Sequence, residues 1–227
     1  MAGYEVEREF YINDAGNQIN NLAASVNARY LEQLGQTVEF PENGYHGYDI
    51  IETAERIVRI YGDKFLNMSE EERLQEFRTI ALKEKLAALK EDLEAFNVTY
   101  DEWFSEQTLH DAKAIHSACD LLTERGYLYE QDGALWLKAT EYGDDKDRVV
   151  IRDNGVPTYF AADIAYHQDK YARGFDRVIN LWGADHHGYI ARMKAAVGAL
   201  GYHPDQLEVL ILQMVSLYRN GELVKMS

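Results

Sequence analysis

Apolar positions recur along this chain with two different periods. Over 17–34, Ile19, Leu22, Ala23, Val26, Tyr30 and Leu31 fall at helical spacing, which predicts a helix with one buried face, and Gly35 marks its end. Ile50, Ile51, Ala54, Ile57 and Val58 predict a second helix over 49–61. Ser69 followed by Glu72 reads as a capping box, the serine oxygen capping the first turn and the glutamate reaching back. The stripe Leu74, Phe77, Ala81, Leu82, Leu86, Leu89, Leu93 and Phe96 carries that helix over 70–96, and its charged opposite face reads as solvated surface. Further helices are expected over 107–125, stopped by Gly126, from Pro157 to about 173, and over 189–200, ended by Gly201.

Between them lie short β-prone runs. Strands are predicted over 5–12, 98–104, 148–152, 178–181 and 207–215. The run 127–137 reads as two strands around Asp132-Gly133, a strong hairpin signal, and 219–222 holds a second hairpin turn at Asn220-Gly221. Asn13-Asp14-Ala15-Gly16 reads as a turn and N-cap for the first helix. Pro41 and the glycine-punctuated aromatics up to Tyr48 mark a loop. Strands 148–152 and 178–181 are parallel if the helix between them is a crossover, and the apolar run from Leu207 suits a buried parallel strand. The fold class is therefore α/β.

Composition narrows the function classes. The 227 residues, 46% of them hydrophobic and with 16 tyrosines, can bury a sizeable core. A net charge of −16 argues against gripping nucleic acid by charge alone, because such surfaces are basic. An acidic balance suits a cationic substrate, or simply a soluble surface. One cysteine, Cys119, excludes an internal disulfide and points to a reducing, cytoplasmic compartment; on an apolar helix face it reads as core. No apolar run approaches the ~20 residues of a membrane span, and no signal-peptide pattern opens the chain.

Candidate chemistry gathers in the last third. Gly183, Asp185, His186 and His187 directly follow the apolar run from Val178, and in α/β sheets ligands bind beyond the C-terminal ends of strands. A glycine lets a ligand approach the backbone, an aspartate accepts from ribose hydroxyls, and histidines donate to phosphate or carboxylate. Two adjacent histidines beside an aspartate also suggest a metal, but loop neighbours seldom converge on one ion and no H-E-x-x-H spacing is present. The carboxylates of 141–147 lack the spacing of a Ca²⁺ loop, so no metal ligand is assigned. Tyr159 and Asp163 lie four apart and share a helix face. A carboxylate there can pair bidentately with a guanidinium, although by spacing alone an ordinary helix surface is the stronger reading, since Tyr and Asp four apart are common on helices.

Trp182-Gly183-Ala184-Asp185-His186-His187-Gly188-Tyr189, continuing through Arg192-Met193-Lys194-Ala195-Ala196, resembles the catalytic domain of arginyl-tRNA synthetase, a class I aminoacyl-tRNA synthetase of bacterial type. The block from Arg8 to Ile19, the strand text around Asp132-Gly133-Ala134 and Trp136, and the run from Tyr159 to His167 are similar to the same family. Lys225-Met226-Ser227 resembles the first three residues of its K-M-S-K loop. The likeness is close over 8–19, 127–137 and 146–227 and loose between about 40 and 125.

That resemblance implies a partial Rossmann-type parallel sheet made by 1–40 and 140–227, interrupted by a mixed α/β connective insertion over 41–139. It implies ATP-dependent ligation of arginine to tRNA, with ATP and Mg²⁺ as substrate and no tightly bound cofactor. Tyr159 and Asp163 would hold the guanidinium, and His187 would contact arginine. Gly183 and Asp185 would lie on the ribose side of ATP, with His186 also toward ATP. Met214 and Val215 would pack on adenine, plain sheet core being the alternative. Lys225 would stabilise charge developing on the phosphates. Asn13 and Asp14 would meet substrate or the tRNA acceptor end, a capped strand-to-helix turn being the alternative. The family's HIGH signature and second K-M-S-K lysine are not in this text. The chain therefore reads as a fragment that does not catalyse by itself, with a non-catalytic arginine- or nucleotide-binding module as the other reading. A truncated sheet would expose an edge through which copies could associate.

Overall fold

Short strands are interspersed among helices in the computed structural model, which describes residues 3–224. Lys225, the expected catalytic lysine, lies outside the described residues. The chain divides into two compact units, one running to Gln107 and the other from Thr108.

In the first unit, β1 (Glu9–Ile12) pairs in parallel with β2 (Glu102–Ser105), placing Phe10 opposite Trp103 and Tyr11 opposite Phe104. Helices α1 (Asn17–Gln33), α2 (Tyr48–Tyr61) and α3 (Glu70–Ala95) lie where the apolar periodicity puts them. The Ser69–Glu72 capping box forms in both directions at the start of α3. The stripes meet in one core: Val26 and Tyr30 from α1, Ile50, Ala54 and Ile57 from α2, Phe77 and Ala81 from α3, and Phe65 between the last two helices. Burying Tyr30 requires a partner for its hydroxyl, which donates to the Gly62 carbonyl at 2.9 Å and accepts from the Phe65 N–H at 3.3 Å.

The expected N-cap for α1 is not found at Asn13 or Asp14. Gly16 takes that position with φ +81° and no side-chain cap. Asp14 turns instead to the neighbouring strand end, where its carboxylate accepts from Ser105 Oγ at 2.6 Å and from the Gln107 N–H at 2.9 Å. In a parallel pair the two strands finish side by side, so a carboxylate after one can satisfy donors after the other.

The helix expected over 107–125 is broken into α4 (Glu106–Asp111) and α5 (Ala114–Glu124) by Lys113, whose φ is +53°. In the second unit, β3 (Leu128–Gln131) and β4 (Ala134–Leu137) form the hairpin, with Asp132 and Gly133 both at positive φ as a tight primed turn demands. Strand β5 (Arg148–Ile151) extends this sheet antiparallel to β4. The expectation that it could run parallel beside 178–181 is thereby corrected: the hairpin, nearer in sequence than 178–181, supplies the edge with which it pairs. Helix α6 (Tyr159–Ala172) follows, capped by Thr158.

Strand β6 (Val178–Gly183), helix α7 (Ile190–Ala199) and strand β7 (Leu207–Leu212) make a βαβ unit with β6 and β7 parallel. The polar stretch expected as loop winds into a 3-10 turn over Ala184–Tyr189. Val178, Asn180 and Leu207 are buried, whereas Ile179, Leu181, Leu210 and Leu212 are exposed, Leu181 by 66%. Parallel sheets are ordinarily covered on both faces, so this bare face is unusual. β8 (Tyr218–Arg219) and β9 (Glu222–Leu223) close the described chain as the second hairpin. The strands predicted over 5–12, 98–104 and 207–215 are all shorter than expected.

Candidate functional site

The site assembles at the C-terminal end of β6 and the first turns of α6, all within the second unit. Gly183 ends β6, and a Cβ built there would lie 2.6 Å from Asp185 Oδ1. Glycine is therefore what lets the Asp185 carboxylate fold back over the strand end. Asp185 Oδ1 accepts from His186 Nδ1 at 3.0 Å, and Asp185, His186 and His187 are all exposed in the turn.

Tyr189 closes that turn, and its hydroxyl donates to Asp163 Oδ2 at 2.6 Å. Its ring meets Phe160 edge-on at 5.9 Å and Trp182 at 5.8 Å, and the Arg192 guanidinium lies over it at 4.7 Å. Burial first, then the adjacent Asp163 charge, push the Tyr189 phenol far above its ordinary range, so it stays a donor. Tyr159 opens α6 on the surface and Asp163 follows one turn later, partly buried.

The first turns of α6 are tied to β6 through His167, which is only 2% exposed. Its Nδ1 lies 2.7 Å from the Asp163 carbonyl oxygen and its Nε2 2.8 Å from Asn180 Nδ2. A carbonyl only accepts, so Nδ1 carries the proton and Nε2 accepts from the Asn180 amide. Lys170 Nζ completes the chain by donating to Asn180 Oδ1 at 3.2 Å. Burial, then the nearby Lys170 charge, bring the His167 pKa down to about 3, so the ring is neutral.

Beside this lies a cavity of about 510 Å³ whose lining includes Arg148, Tyr159, Phe160, Tyr189 and Arg192. Arg148 is held by Asp144 through bonds of 2.7 and 2.9 Å and by Asp145. Burial acts to raise the Asp144 pKa, but the bonds from Arg148 and the Asp145 N–H carry it below the usual carboxylate value. Asp147 accepts from Thr140 and Tyr129. The dense carboxylates of 141–147 thus clamp an arginine and a turn. Among the described residues no three His, Cys, Asp or Glu side chains are grouped to hold a metal.

Of the residues singled out from sequence, Asp163 and the 183–187 turn are brought together through Tyr189, with Tyr159 on the same helix as Asp163. Met214 and Val215 follow β7, whose Leu212 lies opposite Gly183, and both are about four-fifths exposed, 81% and 80%. They are not sheet core. Asn13 and Asp14 belong to the first unit; Asn13 is exposed, and Asp14 is buried with its carboxylate engaged as described. Tyr189, Arg192 and the His167–Asn180 pair carry no role in the sequence reading beyond their place in the quoted motifs or strand. Asp163 and Tyr189 are 26 residues apart, beyond any local spacing signal.

A carboxylate held by the Tyr189 phenol suits a cation with planar donors. Residues 1–220 match the family model for the catalytic domain of class I tRNA synthetases (R). An arginine–tRNA ligase of Carboxydothermus hydrogenoformans is 60% identical over 226 residues, covering 100% of this chain and 41% of that relative. The chain thus spans about two-fifths of that relative's length. A solved arginyl-tRNA synthetase structure from Campylobacter jejuni is 42% identical with a TM-score of 0.88, covering 99% of this chain and 49% of the other. The Thermus thermophilus arginyl-tRNA synthetase structure, 22% identical with a TM-score of 0.64, covers 93% of this chain and 42% of its own, and shares the fold.

Proposed function

Because the chain belongs to the catalytic-domain family of the class I tRNA synthetases for arginine, we propose that its protein joins arginine to tRNA at the expense of ATP. The observation that carries this reading onto the site is the Asp163 carboxylate held by Tyr189 one helical turn from Tyr159. Asp163 and Tyr159 take the guanidinium, and His187 lies toward the amino acid. The arginine carboxylate then attacks the α-phosphorus of ATP, the bond to the β-phosphate oxygen breaks, and pyrophosphate leaves arginyl-adenylate. A terminal ribose hydroxyl of tRNA attacks the carbonyl carbon of that anhydride, and AMP departs.

ATP enters as its Mg²⁺ complex, with the metal carried by the phosphates. Gly183 and Asp185 face the ribose, His186 faces the nucleotide, and Met214 and Val215 flank the adenine. Lys225 offsets charge on the phosphates. Exposed Asn13 meets the acceptor end, with Asp14 supporting it from the strand end. In this reading 1–40 and 140–227 form the nucleotide-binding fold and 41–139 the connective insertion. The protein is placed in the cytoplasm; its lone Cys119 is buried, which pushes the thiol up to about 11 and leaves it unreactive. When the chain stands alone, its bare β6–β7 face associates with the same face of a second copy.

Calorimetric titration of the chain with arginine, citrulline and lysine tests the proposal. Arginine should bind selectively, and Asp163→Asn should weaken it about 10- to 100-fold, the worth of hydrogen bonds to a charged group. Equal binding of arginine and its uncharged isostere citrulline would overturn the assignment.

A further inference from the structure

We infer that Tyr189 is the positioning residue that sets the Asp163 carboxylate for a guanidinium; the inference rests on the arginine reading above. The last torsion of an aspartate is broad, and a carboxylate turned away from its pairing orientation cannot present both oxygens to planar donors. At 2.6 Å the Tyr189 hydroxyl is within the short range of an O–H donor on an ionised carboxylate and fixes that torsion.

Tyr189 can do this because its own ring is packed on several sides. Phe160 and Trp182 meet its ring on two sides, and the Arg192 guanidinium lies 4.7 Å from its centre. Arg192 also lies 5.7 Å from the Phe160 ring, so α6 and α7 share one aromatic cluster around the phenol. The bond joins two segments with different tasks. Asp163 belongs to α6, which takes the guanidinium, and Tyr189 ends the turn bearing Gly183 and Asp185, which take the ribose.

Tyr189→Phe keeps the ring and its neighbours and removes only the hydroxyl. Arginine affinity, read by calorimetry of the full chain, is expected to fall about tenfold, the lower end for a hydrogen bond to a charged group, with ATP affinity unchanged. In the double variant with Asp163→Asn, the loss should be no greater than for Asp163→Asn alone, because a positioning residue acts only through its partner. A structural role would instead add its own loss and weaken ATP binding too. If Asp163→Asn weakens arginine binding while Tyr189→Phe leaves it unchanged, or if the two losses add, the inference is overturned and the arginine reading stands. If Asp163→Asn itself has no effect, the arginine reading fails and the inference with it.

Discussion

Replacing Gly198 by alanine sets two physical rules against each other. Gly198 lies inside α7, where alanine is favoured over glycine by about 0.5–1 kcal/mol because it loses less backbone freedom. Helix propensity alone therefore predicts a more stable protein. The packing predicts the opposite. A Cβ at Gly198 would lie 2.4, 2.6 and 3.1 Å from Cδ1, Cε1 and Cγ of Tyr142. These are ring atoms near the root of the side chain. The ring is also held edge-on against Tyr127 at 5.4 Å, so it cannot swing aside freely. Relieving such overlap costs about 1–3 kcal/mol, and after the propensity gain of about 0.5–1 kcal/mol the net loss lies between about 0 and 2.5 kcal/mol. Urea denaturation followed by circular dichroism reads the difference directly. In a Tyr142→Ala background the obstruction is gone, so Gly198→Ala should there stabilise by about 0.5–1 kcal/mol. If Gly198→Ala stabilises by the full propensity gain with Tyr142 in place, the close approach of α7 to that ring is wrong.

Two further outcomes are expected. His167 has a folded pKa of about 3 against an ordinary 6.5, so between those values the unfolded chain binds a proton that the folded chain refuses. Its contribution is fully present above pH 6.5 and declines as pH falls toward 3, reaching a loss of about 2 kcal/mol at pH 5. His167→Gln should flatten stability between pH 7 and 5 in urea titrations, and an unchanged slope would refute the buried neutral ring. Separately, Leu181→Lys on the bare β6–β7 face should convert a self-associating chain to monomer in sedimentation equilibrium; a parent already monomeric at tens of micromolar would count against association there.

Much of this architecture was legible locally. The stripes from Ile19 to Leu31, from Ile50 to Val58 and from Leu74 to Leu93 placed α1, α2 and α3, and Ser69 with Glu72 placed the start of α3. Asp132-Gly133 and Asn220-Gly221 marked both hairpins. Such features depend on bonds and dihedrals within a few residues, so neighbouring side chains suffice to determine them. The resemblance to the family likewise singles out Tyr159, Asp163 and the Gly183–His187 turn as candidates. What tertiary structure decided are choices between distant partners. Asp14 could cap its own helix or serve the end of β2, and it serves β2. Strand β5 could pair with β6 or the hairpin, and it joins the hairpin. A partner of Asp163, Tyr189, stands 26 residues away, and the space that demands glycine at 198 belongs to Tyr142. Each of these is settled by which surfaces meet when separately formed elements pack, and side-chain spacing along one element carries no record of the surface it will meet.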